Sequence, residues 1–147
     1  MKRKSNSQPL KICLLTYRGN PNCGGQGVYI KHLSKALSDL GHEVDVLSGP
    51  PYPHLDPKVG LHKIPSLDLY NAENPFRVPK VRSLVNPLNM YEFLTMCSGQ
   101  FPEPYTFGER AYKYLLKKKK DYDIVHDNQC LAYGIIKIAE KVVPTIA

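Results

Sequence analysis

An α/β domain, built on an open parallel sheet with helices on both faces, is what this sequence of 147 residues predicts. Three observations point there. The chain opens with a continuous apolar run, residues 10–16, and continuous rather than alternating hydrophobicity suits a strand buried on both faces. A helix-spaced stretch and a second apolar run follow directly, so the first 48 residues read as one strand–helix–strand unit. Such a connection is right-handed and joins parallel strands. Strand-like and helix-like stretches then keep alternating, the order that generates doubly wound, Rossmann-like sheets.

Each element has its own justification. After the first strand comes a loop over residues 17–25, rich in Gly, Asn and Pro. The first helix is expected at residues 26–40, with Tyr29, Leu33, Ala36, Leu37 and Leu40 as its inward face and Lys31, Ser34, Lys35 and Ser38 outside. Gly41 closes it in a left-handed cap. Residues 44–48 form the second strand, Pro50-Pro51-Tyr52-Pro53 a stiff turn, and residues 59–64 a short third strand. An insert broken by prolines occupies residues 65–104, with a helix legible around 88–97. A further helix is expected at 106–120, with Phe107, Ala111, Tyr114 and Leu115 inward. Residues 123–126 make the fourth strand, 131–143 a helix, and 144–147 begin another strand. Residues 1–9 read as a flexible basic tail ahead of a single domain over 10–147.

Composition excludes several classes. With 42% hydrophobic and 22% charged residues, the chain is folded rather than disordered. Its net charge of +7 favours anionic partners, among them nucleotide diphosphates, lipid surfaces and nucleic acid. Ten tyrosines without regular spacing or basic interleaving make a nucleic-acid platform the wrong expectation. The basic start, Lys2-Arg3-Lys4, leads into no apolar run, so neither a signal peptide nor a membrane span is expected and the chain reads as cytoplasmic. The run Lys117 to Lys120 suits a solvated helix end, and a peripheral contact with the inner face of the membrane is its second reading. Cys13, Cys23, Cys97 and Cys130 lack metal-ligand or disulfide spacing and read as ordinary thiols.

Chemistry concentrates at two places. Gly24, Gly25, Gln26 and Gly27 open the first helix, where unpaired backbone N–H groups and the helix dipole favour an anion. A phosphate is the natural ligand, and a flexible turn without one is the alternative. A dinucleotide fingerprint fails because Ile30 stands at the third glycine position and the second strand ends in Leu47-Ser48-Gly49 rather than an acid. A P-loop fails because Gly27-Val28-Tyr29 replaces Gly-Lys-Ser/Thr. The second place is His126, Asp127, Asn128 and Gln129, at the carboxyl end of the fourth strand. If that strand lies beside the first, these groups reach the glycine loop and can hydrogen-bond sugar hydroxyls or an acceptor. The competing role is capping of the following helix by Asp127 or Asn128.

Together these residues resemble a family. Lys11-Ile12-Cys13-Leu14-Leu15-Thr16, Gly24-Gly25-Gln26-Gly27-Val28-Tyr29, His32 to Leu37, Leu40-Gly41-His42-Glu43-Val44 and Asp123-Ile124-Val125-His126 are similar to the opening of glycosyltransferase family 4. The likeness covers residues 10–48 and 121–147 well and the middle poorly. It implies the N-terminal, acceptor-side half of a two-domain GT-B enzyme, with the donor-binding domain missing and the fragment inactive alone. It also implies a UDP- or GDP-sugar as donor substrate, a carbohydrate or lipid-linked acceptor, retention of configuration, and no metal or other cofactor. Gly25 and Gly27 would then approach the leaving phosphates, His126 and Asn128 would line the acceptor side, and the 65–104 insert would carry acceptor specificity. A non-catalytic module that holds an anion or partner is the alternative. Which groups perform catalysis is not legible.

Overall fold

A computed structural model of the chain describes residues 8–21, 25–71, 74, 77–118 and 122–147. The elements run β1 (Lys11–Thr16), α1 (Gly25–Asp39), β2 (Glu43–Ser48), β3 (Gly60–Lys63), a 3-10 turn (Val81–Val85), α2 (Pro87–Cys97), α3 (Glu103–Lys117), β4 (Ile124–Asp127), α4 (Tyr133–Lys141) and β5 (Thr145–Ile146). The described strands form one parallel sheet in the order β3-β2-β1-β4-β5. The expected α/β class and the parallel pairing of the first unit are therefore what the chain adopts.

The period of two along β1 explains the layers. Cys13 and Leu15 point into a core completed by Phe107, Ala111 and Leu115 of α3 and by Ile135 and Ile138 of α4. Ile12 and Leu14 point the other way, into a core closed by Ile30, Leu33 and Leu37 of α1. Both faces of the strand are covered, which is why its sequence is apolar throughout. The tightest helix–helix contact is α3 against α4. A Cβ on Gly134 would run into the Gly108 carbonyl, so only glycine lets these two backbones approach so closely.

Several expected details change. The inward face of α1 is Gly27, Ile30 and Ser34, with Leu33 and Leu37 partly covered, whereas Tyr29 and Leu40 are exposed by 48% and 75% and Ala36 is also exposed. The helix starts one residue earlier than expected and is rotated, because Gly27 has to face the preceding loop. Gly41 does end it, at φ 95°. Helix α3 begins at Glu103 rather than 106, and α4 at Tyr133 rather than 131. The tail at 1–7, Cys23 and Lys119 and Lys120 lie outside the described residues. Cys13 and Cys130 are buried thiols, which raises the pKa of both, that of Cys130 to about 12. Both are poor nucleophiles, and Cys97 is an exposed free thiol. Among the described residues no helix is long and apolar enough to cross a membrane.

The stretch expected to be an insert is tied to the sheet by buried charges. Glu92 of α2, with no exposed surface, pairs with Arg110 of α3 and accepts from the Thr106 hydroxyl at 3.3 Å. Asn89 accepts from the same guanidinium at 2.8 Å. Arg18, in the loop after β1, meets Glu103 at 3.1 Å and donates to the Tyr70 carbonyl at 2.7 Å. Arg77 reaches Asp68 at 3.3 Å. Burial pushes the Glu103 carboxyl up to about 7; Arg18 opposes this, and Glu92 and Asp68 reinforce it.

Candidate functional site

The sheet order reverses between β1 and β4: from β1 the chain moves outward to β2 and β3, then returns on the other side to β4. Crevices at such a switch point, beyond the carboxyl ends of the strands, are where open α/β sheets take ligands. A cleft of about 490 Å³ lies there. One bank is the start of α1, with Gly25, Gln26 and Tyr29; the other is His126, Asp127, Asn128 and Gln129, with Leu131 and Ala147 beyond them. The two groups of residues singled out from sequence, about a hundred positions apart, thus face each other. The Gln26 side-chain amide donates to that of Gln129 at 3.0 Å, bridging the banks.

On the α1 bank the glycines differ. Gly25 is the first helical residue, and a Cβ there would meet no atom of the described residues within 4 Å. Gly27 is buried, and a Cβ on it would strike the Asn20 carbonyl. The missing side chain of Gly27 thus admits the loop after β1. The Gly27 N–H still belongs to the first helical turn, whose amides have no partner within the helix. Gly24 lies outside the described residues.

The other bank is built by β4 and the turn after it. The Asn128 N–H donates to the Leu15 carbonyl at 3.0 Å, extending the β1–β4 pairing by one step. Asp127 is 2% exposed, and its Oδ2 accepts from the backbone N–H groups of Cys130, at 3.1 Å, and Leu131, at 2.9 Å. Neither Asp127 nor Asn128 caps the following helix, as one reading of the sequence expected: α4 starts later, at Tyr133, without a side-chain cap, and Asp127 instead closes the turn at 128–131. Burial raises the Asp127 pKa, and the two N–H bonds and His126 oppose the rise. Asp127 Oδ1 and Asn128 Nδ2 are both buried with no hydrogen-bond partner among the described residues. Unpaired buried polar atoms are rare, and these two leave the turn beneath the cleft incompletely satisfied.

The turn itself is strained. Gln129 and Leu131 have φ of 63° and 44°, in the left-handed region that side-chain-bearing residues avoid. Each such residue costs on the order of 1–3 kcal/mol, and such strain collects at functional sites. It holds Gln129 exposed at the cleft and turns Leu131 outward at 79% exposure. Tyr29, assigned from sequence to the helix interior, instead lines the cleft, and Leu131 and Ala147 were not singled out. A helical-wheel reading that started from Gly27 as a buried position would have placed Tyr29 outside. Among the described residues no group of three or more His, Cys, Asp or Glu side chains is arranged to hold a metal ion.

Comparison with known proteins decides the family. The sequence profile of Glycosyltransferase Family 4 matches residues 23–147. The chain belongs to that family. The match runs through the middle stretch, where the residues alone carry little likeness. Over 139 residues the chain is 49% identical to the MMP alpha-(1->4)-mannosyltransferase of Mycolicibacterium hassiacum, an alignment that covers 94% of this chain and 34% of that protein. The family-4 chain therefore spans about a third of the length of this relative. Its Rossmann-like parallel sheet is that of the N-terminal domain of a GT-B enzyme.

Proposed function

We propose that this chain is the acceptor-side domain of a retaining mannosyltransferase, which transfers a mannosyl group from a nucleotide-diphosphate sugar to a carbohydrate and forms an α-(1→4) linkage. The mannosyl group and the linkage follow the activity of the relative that is 49% identical. The observation that carries the site assignment is the cleft itself: the first turn of α1, open at Gly25, faces His126 to Gln129 across the β1–β4 switch point. Negative charge grows on the leaving diphosphate as the sugar–phosphate bond breaks. Fixed N–H dipoles aimed at that charge stabilise the transition state more than the ground state. The amides at the start of α1 serve as these dipoles. His126, Asn128 and Gln129 form the acceptor side of the cleft, and Asp127 positions them by closing the turn. The donor nucleotide is held by a second domain outside this chain, so the chain alone turns over no substrate, and transfer needs no metal.

The test is a chimera in which this chain replaces the matching third of the M. hassiacum relative, assayed with GDP-mannose and UDP-glucose with and without EDTA. We expect mannosyl transfer that survives EDTA, at least 100-fold less in the Gly25→Val variant and at least 10-fold less in His126→Ala. A folded chimera with full turnover in the Gly25→Val variant would remove the phosphate role. A folded chimera without transfer to any carbohydrate would favour a non-catalytic binding module.

A further inference from the structure

A second cavity, of about 370 Å³, shares no lining residue with the cleft among the described residues. It lies between the end of β3, α2 and the outer half of α3. Its volume falls within the range of small-molecule sites, about 300–1,000 Å³. The α3 wall carries Arg110, Lys113 and Lys117. Spacings of three and four residues put all three cations on one helical face. The facing wall joins the apolar Ile64, Pro65 and Leu88 to the amides of Asn86 and Asn89, and among the described residues no acidic side chain lines the cavity.

The charge balance there is incomplete. Glu92, behind the cavity, neutralises Arg110 alone. No ion pair joins Lys113 or Lys117 to another described residue. Arg110 is held in place by Glu92 and Asn89 through Nη2, while its Nη1 is buried with no hydrogen-bond partner among the described residues. Like charges stacked along one helix face repel and destabilise it. A dianion in the cavity turns that repulsion into attraction through charge-assisted hydrogen bonds.

We propose that this cavity is a binding site for an organic phosphate monoester, separate from the donor cleft. The phosphate sits against Arg110, Lys113 and Lys117, and the apolar body of the ligand covers Ile64, Pro65 and Leu88. Phenyl phosphate has the required parts and is the probe, with inorganic phosphate as the control that lacks the apolar body. Binding is measured by calorimetric titration of the chain and by the backbone amide shifts that report where the probe sits. We expect saturable binding of phenyl phosphate, at least tenfold tighter than inorganic phosphate, with shifts at Leu88 and residues 110–117. Because both lysines are exposed, the Lys113→Glu, Lys117→Glu double variant should fold normally and bind at least tenfold more weakly. Gly25→Val should leave the affinity unchanged. The proposal is overturned if no saturable binding appears at millimolar probe, if the double variant binds as tightly as the parent, or if Gly25→Val removes the binding instead. Equal affinity for inorganic phosphate would overturn the role of the apolar wall. None of these outcomes depends on glycosyl transfer, so the site and the mannosyltransferase reading stand or fall separately.

Discussion

The frame of β1, α1, β2, α3, β4 and α4 and the middle stretch that docks on α3 are held by different forces. In the frame, Leu14, Leu15, Val46, Leu47 and Ile138 have no exposed surface, and each contributes through non-directional burial of apolar area. The middle stretch contributes few such residues: Val78, Val81 and Val85 are more than 80% exposed. What fixes it is a set of paired polar groups: the charges of Glu92 with Arg110 and Asp68 with Arg77, and Glu103, whose carboxyl burial pushes toward its neutral form, with Arg18. Burial tolerates small changes of angle and partner, whereas a buried charge requires its partner in place. The frame should therefore yield gradually to mutation and the middle abruptly.

The largest effect expected is at Glu92. Removing one member of a buried ion pair strands the other, at about 3–5 kcal/mol, whereas replacing both by apolar residues of similar volume is often neutral. Glu92→Ala should lower the unfolding free energy in urea by about that amount. Glu92→Leu combined with Arg110→Met should recover most of it. If the double variant is no better than the single one, the pair adds stability of its own and the contrast with the frame disappears.

That difference in forces also explains what could be read from sequence. Continuous apolarity at residues 10–16, helix spacing after Gly25 and a terminal Gly41 each signal their structure locally, so the frame was legible to within a few residues. Arg18 and Glu103 are 85 residues apart, and nothing in either neighbourhood announces the other. The two banks of the cleft were legible because chain order and the rule for parallel crossovers bring β4 beside β1. The rotation of α1 was not, since it depends on the Asn20 carbonyl resting on Gly27, a contact without a sequence pattern. The strained turn at Gln129 and Leu131 was hidden for a related reason: neither residue type advertises a left-handed conformation.

The next effect separates the regions by pH. Glu103 has an ordinary carboxyl value of 4.5 in the unfolded chain and about 7 when folded, so the folded state holds its proton more tightly. Its contribution to stability is complete below about pH 4.5 and is lost as pH rises through about 7, at most about 3 kcal/mol. Urea midpoints measured at pH 5 and pH 7.5 should therefore fall more in the parent chain than in Glu103→Gln, which mimics the protonated acid at both. Parallel behaviour of the two chains would mean that Arg18 keeps Glu103 ionised throughout this range.

The smallest effects compare the two glycines of the site. An alanine at Gly27 has to displace the Asn20 carbonyl, and overpacking of this kind typically costs about 1–3 kcal/mol. An alanine at Gly25 meets open space, so stability should change by less than about 0.5 kcal/mol. Activity should sort them differently. In the chimeric enzyme Gly25→Ala places a methyl group where the diphosphate is proposed to lie, so transfer should fall although the protein is as stable as its parent. Gly27→Ala should lose activity only in proportion to the unfolded fraction, and a lower assay temperature should restore it. If cooling rescues both variants equally, neither glycine meets the substrate, and the open turn at the start of α1 has a purely architectural role.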